Sequence, residues 1–313
     1  MSNLPIALLG ATSHIAKGLI ENFVLNNQDM EMHLYARDKT SVERFLKENY
    51  SIASVNCEIK NSFENLQSSQ YKAIINCVGV GTVDKFSDGY FRYFTVTEKF
   101  DNLVLDYIKH NPDVLYINIS SGIVYGDSDD IGYQNGQSLV AVNNMDVKEY
   151  CIISNMNAEA KHRAYSSLRI VDLRVFSYFS RFADLTEPYF INKIVSSVLK
   201  RVPFVTSQQD MVRDYIDPKD LYQAVCLCMK QDKVNAAYDV FSMSPASKKD
   251  IIDQFINKYG LIVEYVEGPN LSGTGEKNQY FSYNYSLHDI GFDPNYSAID
   301  AVLNESARII NMS

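Results

Sequence analysis

Short, almost wholly apolar runs alternate with stretches whose apolar positions recur at helical spacing through the first half of the chain. The runs predict strands near residues 4–9, 31–36, 52–59, 72–78, 113–120 and 168–175. The periodic stretches predict helices near 13–26, 40–49, 93–110 and 145–166, with a weaker one near 62–68. Ala73-Ile74-Ile75-Asn76-Cys77-Val78-Gly79 and Val114-Leu115-Tyr116-Ile117-Asn118-Ile119-Ser120 carry few polar residues, as strands covered on both faces should. This alternation predicts an α/β fold, a doubly wound parallel sheet with right-handed crossovers. Beyond 175 the regularity loosens into helices near 187–200 and 217–230, a β-α-β stretch at 237–266 and a closing helix near 297–311. The polar, glycine-rich 268–280 stretch reads as a mobile surface loop.

The chain opens on the most informative of these units, an apolar strand, a tight turn and an amphipathic helix from Pro5 to Gly18. Backbone N–H groups at such a turn, aided by the helix dipole, suit the pyrophosphate of a dinucleotide. The glycine fingerprint is incomplete, reading Gly10-x-x-Ser13-x-x-Ala16, yet Ser13 and Ala16 are small enough to admit a phosphate and a neighbouring strand. Gly10, Thr12, Ser13, His14 and Ile15 are the candidate phosphate contacts.

Bulk properties narrow the classes. The 313 residues are 46% hydrophobic and 21% charged, ordinary for a globular protein with a large core. A net charge of −9 without a basic cluster argues against nucleic acid, so an anionic ligand must be held by backbone dipoles and single arginines. No segment has the apolar length to span a membrane, and the first residues lack a signal-peptide layout. Five cysteines without Cys-x-x-Cys spacing are expected as reduced thiols in the cytoplasm, and the five histidines show no metal spacing.

Four later segments join the opening turn: Ser120-Ser121-Gly122-Ile123-Val124-Tyr125-Gly126, Leu173-Arg174-Val175-Phe176, Arg213-Asp214-Tyr215-Ile216-Asp217 and Ile290-Gly291-Phe292-Asp293-Pro294. With these pieces, in this order, the chain resembles the extended short-chain dehydrogenases/reductases, in the branch of nucleotide-sugar epimerases, dehydratases and ketoreductases. The resemblance implies a Rossmann-type dinucleotide-binding domain from 1–175 with 207–235. It implies a smaller substrate-binding region from 176–206 with 236–313. It implies hydride transfer between a nicotinamide cofactor and a nucleotide-linked keto-sugar, by a reductase or an epimerase. Ser121 would bond the reacting oxygen beside Ser120, and Arg213 would hold the diphosphate. Phe176 and Tyr178 would flank the nicotinamide, with Tyr178 toward the substrate. Cys77, Val78 and Gly79 would pass beneath the cofactor riboses, with Glu58 and Ile59 near the adenine. A homodimer would form through the helices at 93–110 and 145–166.

Each residue also has a plainer reading. Ser120 and Ser121 could be a strand-end turn with hydroxyls bonded to backbone, and Arg213 could form a buried pair with Asp214. At the end of the second strand, Leu34-Tyr35-Ala36-Arg37-Asp38 puts Arg37 where a guanidinium can clasp a 2′-phosphate, favouring NADP(H) over NAD(H). A solvated Arg37 beside Asp38 is the alternative.

The pattern breaks at the catalytic signature, a tyrosine followed four residues later by a lysine that lowers the phenol pKa. Four residues after Tyr150 stands Ser154. If Ser154 and Glu159 are matched to the family's serine and glutamate, Cys151 takes the tyrosine place and Asn155 the lysine place. The lysine is missing either way. Gly122-Ile123 replaces the acid pair a 4,6-dehydratase uses, which argues against dehydration. Three routes remain: Tyr150 as the acid without its lysine, proton transfer through Lys99, Lys148 or water, or a non-catalytic dinucleotide-binding regulator or assembly subunit.

Overall fold

The computed structural model describes residues 4–51, 55–80, 89–126, 142–268 and 279–311. In chain order the first half runs β1 (Ile6–Leu9), α1 (His14–Asn26), β2 (Met32–Tyr35), α2 (Lys39–Asn49), β3 (Cys57–Lys60) and β4 (Ala73–Asn76). It continues with α3 (Arg92–His110), β5 (Leu115–Ser121), α4 (Val147–Ala164) and β6 (Ile170–Val175). The second half adds β7 (Ser177–Tyr178), α5 (Phe190–Lys200), β8 (Phe204–Ser207), β9 (Val212–Arg213), β10 (Tyr215–Ile216) and α6 (Pro218–Met229). The chain then passes through β11 (Asn235–Val240), β12 (Ala246–Ser247), α7 (Lys248–Tyr259), β13 (Val263–Val266), β14 (Gln279–Tyr280) and α8 (Ala298–Ile310).

Seven strands form one parallel sheet in the order β11-β6-β5-β4-β1-β2-β3. Side chains alternate across it. Ile6, Leu8, Leu34, Ile75 and Ile117 pack with apolar residues of α1, α2 and α6, while Ala7, Leu9, Tyr35, Ile74 and Tyr116 pack with those of α3. Both faces are covered, which is why these strands tolerate so little polarity. Strand order reverses between β1 and β4, and that reversal opens a crevice at their carboxyl ends. A second apolar core gathers α5, α7 and α8 around Phe190, Ile194, Phe204, Ile251, Phe255, Ala298 and Val302.

Three segments differ in form from the sequence expectation. The weak helix is a 3-10 helix, Phe63–Ser68, whose preceding Ser62 makes no side-chain cap. The Ser68 side chain competes for a backbone bond, its Oγ donating to Asn65 O at 2.8 Å. The β-α-β stretch is not a single crossover, since β11 joins the main sheet beside β6 and β13 pairs with β8. The seventh strand thus lies at 235–240, past the 235 expected to end the sheet-forming part. Of the 268–280 loop, 269–278 lie outside the described residues, and Gln279–Tyr280 form β14 alongside β9. Among the described residues no helix is long and apolar enough to cross a membrane.

A buried charge cluster fastens α8 to α1. Arg308 and Arg181 each reach Glu21 Oε1 at 2.6 Å, and the Arg181 amide donates to Glu305 Oε2 at 2.7 Å. Burial, then the charges of Glu21 and Asp217, push the Glu305 carboxyl up to about 8. Its pKa is raised on folding, so its contribution is intact below about 4.5 and lost as pH rises through about 8. Glu305→Gln is expected to stabilise the fold by roughly 2 kcal/mol at alkaline pH and to change little in mild acid. Calorimetric melts in the two conditions check this; equal effects in both would refute the assignment.

Candidate active site

The crevice floor begins at Gly10, whose φ of +78° lies in the left-handed region. A Cβ there would stand 3.0 Å from the Cys77 carbonyl and the Val78 nitrogen, so only glycine lets the β1 turn meet the end of β4. The Gly10 and Ala11 amides donate to Tyr35 O at 3.0 and 3.1 Å, fixing the turn to β2. Ser13 caps α1 by accepting from the Ala16 amide at 3.2 Å, so its oxygen serves the helix. Helix geometry leaves the first-turn amides of His14 and Ile15 without intrahelical partners, and no acidic residue occupies that turn. Thr12 is exposed at the same corner.

His14 Nδ1 is buried without a hydrogen-bond partner, and burial lowers the imidazole pKa to about 4. Across the crevice, Gly79 faces open space. The first-turn amides of His14 and Ile15, a glycine-only turn and an orphaned ring nitrogen fit the pyrophosphate side of a dinucleotide.

At the adenine side the sequence candidates are more scattered. Glu58 is exposed and paired with Lys60 at 2.5 Å, while Ile59 packs against the sheet core. Arg37 is exposed; Asp38 caps α2, accepting from the Ser41 amide at 3.1 Å and its hydroxyl at 2.5 Å.

At the other end of the crevice β5 delivers two serines with different duties. Ser120 Oγ donates to Glu159 Oε1 at 2.6 Å, and Glu159 holds Arg174 at 2.6 Å. Arg174 donates onward to Tyr125, whose hydroxyl bonds the buried Asp239 at 3.0 Å. Ser120 therefore belongs to the scaffold under the site. Ser121 Oγ lies 3.0 Å from the hydroxyl of Tyr280, a residue only 7% exposed. Phe176 packs on Tyr280 at 5.2 Å and stacks with Tyr125 at 6.2 Å. Tyr178 does not join them: its ring meets His14 edge-on at 5.1 Å, and its hydroxyl lies against Gly18 of α1.

Arg213 is 4% exposed. It donates to Val212 O at 2.9 Å, and its guanidinium lies 6.0 Å from the Tyr280 ring centroid. The Asp214 carboxylate is engaged elsewhere, accepting from the Ser242 amide at 3.2 Å. No ion pair involves Arg213 among the described residues. Burial lowers its pKa. A buried cation without a carboxylate is what an anion-binding arginine requires.

The helix that should carry the motif is turned by tertiary contacts. Glu159, gripped by Ser120 and Arg174, fixes the phase of α4 and brings Cys151 and Asn155 onto the same face eight and four residues earlier. Asn155 Nδ2 is spent on the Cys151 carbonyl at 2.8 Å. Cys151 lies within electrostatic range of Tyr93, Tyr189 and Tyr280. Tyr150, one residue before, stacks on Tyr90 at 5.4 Å and meets Phe94 edge-on at 6.4 Å. The structure thus brings Ser121, Phe176 and Arg213 around Tyr280 and leaves Tyr150 at the α3–α4 contact. Lys99 lies over the Phe100 ring at 5.7 Å. Sequence reasoning missed Tyr280. The run Tyr280-Phe281-Ser282-Tyr283 shows no alternation of apolar and polar residues that would mark it, and its place follows from the pairing of β14 with β9.

A model of the NAD dependent epimerase/dehydratase family matches residues 6–243. No curated protein matches the sequence significantly. Among solved structures, a UDP-glucuronic acid 4-epimerase variant from Bacillus cereus, in complex with NAD and a fluorinated UDP-sugar, is similar with a TM-score of 0.81. It shares 14% identity, over 99% of this chain and 100% of that one. The dTDP-glucose 4,6-dehydratase of Bacillus anthracis in complex with NAD gives 0.77 at 13% identity, over 99% and 97%. A UDP-N-acetylglucosamine 4-epimerase from Methanobrevibacter ruminantium gives 0.76 at 16%, over 100% and 99%. These likenesses carry the fold.

The preference for NADP over NAD is overturned. The matching family is NAD dependent, and the two Bacillus complexes hold NAD. The physical reason lies in Arg37, which stands in solvent beside a cap residue and not in a walled phosphate pocket.

Proposed function

Because the chain belongs to the NAD dependent epimerase/dehydratase family, we propose that it binds NAD together with a nucleotide-linked sugar and transfers hydride between them. The observation that carries this reading is the buried Arg213, without an ion-pair partner among the described residues and one ring away from Ser121. Arg213 holds the diphosphate, and Ser121 orients the sugar oxygen. The crevice from Gly10 through Ile15 and Cys77 to Gly79 holds the dinucleotide, which supplies the hydride chemistry when bound. The division into a dinucleotide part and a sugar part follows the two apolar cores. The subunits pair through α3 and α4, where Phe91 and Met156 are 56% and 40% exposed; Tyr107 and Ile152 are buried and take no part.

A second reading draws support from Asn155, which bonds within its own helix where the family has a lysine. In that reading the chain binds both ligands and turns neither over. Calorimetric titration with NAD, NADH, UDP-glucuronic acid and dTDP-glucose tests the shared premise. Wild type is expected to bind the dinucleotide, and Gly10→Val to weaken it by about 100-fold or more, since the side chain meets backbone atoms of Cys77 and Val78. A wild-type chain that binds no dinucleotide overturns the proposal.

A further inference from the structure

The family signature sets its proton donor on the helix after β5, and that helix here has no lysine four residues after Tyr150 or Cys151, where Ser154 and Asn155 stand. Another phenol stands beside the serine. We propose that Tyr280, delivered by β14, is the proton donor of this chain, and that its substrate is a nucleotide-linked ketone which it helps reduce to an alcohol. This deepens the reading of the preceding section and rests on it.

Three observations converge. The hydroxyls of Ser121 and Tyr280 are 3.0 Å apart, close enough to donate to one shared carbonyl oxygen, while Ser121 Oγ also accepts from the Ile123 amide at 3.3 Å. Strand pairing holds Tyr280 rigidly: β14 runs parallel to β9 with Tyr280 opposite Arg213, so the proton donor and the phosphate-binding guanidinium occupy one rung. Phe176 seals the ring from the side, leaving the hydroxyl as the polar end of an apolar wall.

Charge sets the resting protonation state. Burial raises the Tyr280 phenol above its ordinary value, with the hydrogen bond to Ser121 opposing. Arg213, 6.0 Å from the ring, is the cation facing it, and the nearby acidic groups are Cys151 and Asp239. A phenol so placed is protonated at neutral pH, the state needed to give a proton to a carbonyl oxygen, and in the reverse step the same oxygen takes that proton back. In the forward step the carbonyl carbon gains a C–H bond from the hydride as the C=O π pair moves to oxygen. That oxygen takes the Tyr280 proton, and Tyr280 regains one from water. Ketone, reduced dinucleotide and one proton become alcohol and oxidised dinucleotide.

The test compares wild type, Tyr280→Phe and Tyr150→Phe. Reduction of UDP-linked 4-keto-sugars is followed by NADH fluorescence, and affinities for NADH, UDP and UDP-glucuronic acid by calorimetry. Tyr280→Phe is expected to lower turnover by about 100-fold or more. It should weaken UDP-glucuronic acid several-fold while leaving NADH and UDP binding unchanged. Tyr150→Phe is expected to turn over like wild type. Undiminished turnover in Tyr280→Phe, or loss in Tyr150→Phe alone, overturns the assignment. So does wild type that binds both ligands and reduces no ketone. Failure of wild type to bind NADH at all instead removes the underlying reading.

Discussion

Replacing His162 with leucine is expected to cost about 3 kcal/mol of folding stability, measured by urea unfolding at neutral pH. The imidazole is fully buried and bridges two buried carboxylates: Nε2 meets Asp101 at 2.6 Å, and Nδ1 meets Asp172 at 2.8 Å. Asp101 lies on α3 and Asp172 on β6, so the ring ties a helix to the sheet through α4. Burial opposes the imidazolium, but hydrogen bonds to Asp101 and Asp172 and their charges prevail, holding its pKa at about 9. Leucine would leave two carboxylates facing an apolar side chain. Lys161 at 2.5 Å from Asp101 and Arg163 at 2.9 Å from Asp172 still neutralise their outer edges, which keeps the cost near the lower end for a broken buried pair.

The same bridge has a pH signature. A histidine whose pKa rises on folding contributes fully below about 6.5, and the contribution is lost as pH climbs through about 9. Wild type should therefore lose up to roughly 3 kcal/mol across that window from this site. His162→Leu should show a flatter slope there. Glu305 contributes a slope of the same sign at lower pH, so the His162→Leu, Glu305→Gln double variant separates the two. A slope unchanged in His162→Leu would mean that the ring is neutral in the folded protein.

Arg213→Met is expected to weaken nucleotide-sugar binding by about 100-fold, with dinucleotide affinity unchanged. Charge-assisted bonds to diphosphate oxygens are among the strongest a side chain makes, and methionine keeps the shape without the charge. Stability provides an independent readout. The guanidinium is buried without a carboxylate, so removing its charge relieves a desolvation cost and the melting temperature should hold or rise. An arginine acting as a structural tie would give the reverse, a destabilised protein that still binds UDP-glucuronic acid normally. Calorimetry and thermal melts on one preparation distinguish these outcomes.

The sheet was legible because its strands carry their own record. Ile6 to Leu9 and Ala73 to Asn76 are buried throughout, and Gly10 marks the turn that lets β1 approach the end of β4. Ser121 was singled out by its place at a strand end and Arg213 by the Arg-Asp-Tyr-Ile run of the resemblance, and the structure brings both beside Tyr280. What escaped depends on distant contacts. Tyr280 reaches Ser121 through pairing of β14 with β9, segments separated by the whole of α6 and α7 and the strands and loops around them. The phase of α4 is set by Glu159 on Ser120 and Arg174, so Tyr150 counted correctly along the chain yet faced Tyr90. Arg37 failed for a third reason: a charge beside a turn says nothing of whether walls surround it. Asp172 offered a usable hint, as a carboxylate inside the run Ile170-Val171-Asp172-Leu173 must have a buried partner.

The late position of β11 bears on how the chain is made. During synthesis β1 through β6 can assemble once residue 175 has emerged, but the strand that flanks β6 arrives only after 176–234 have followed. Until then β6 presents a bare row of amides and carbonyls from an apolar segment, the kind of edge that recruits foreign strands. A chain ending before residue 235 would keep that edge uncovered, and is expected to aggregate more readily than the full-length chain.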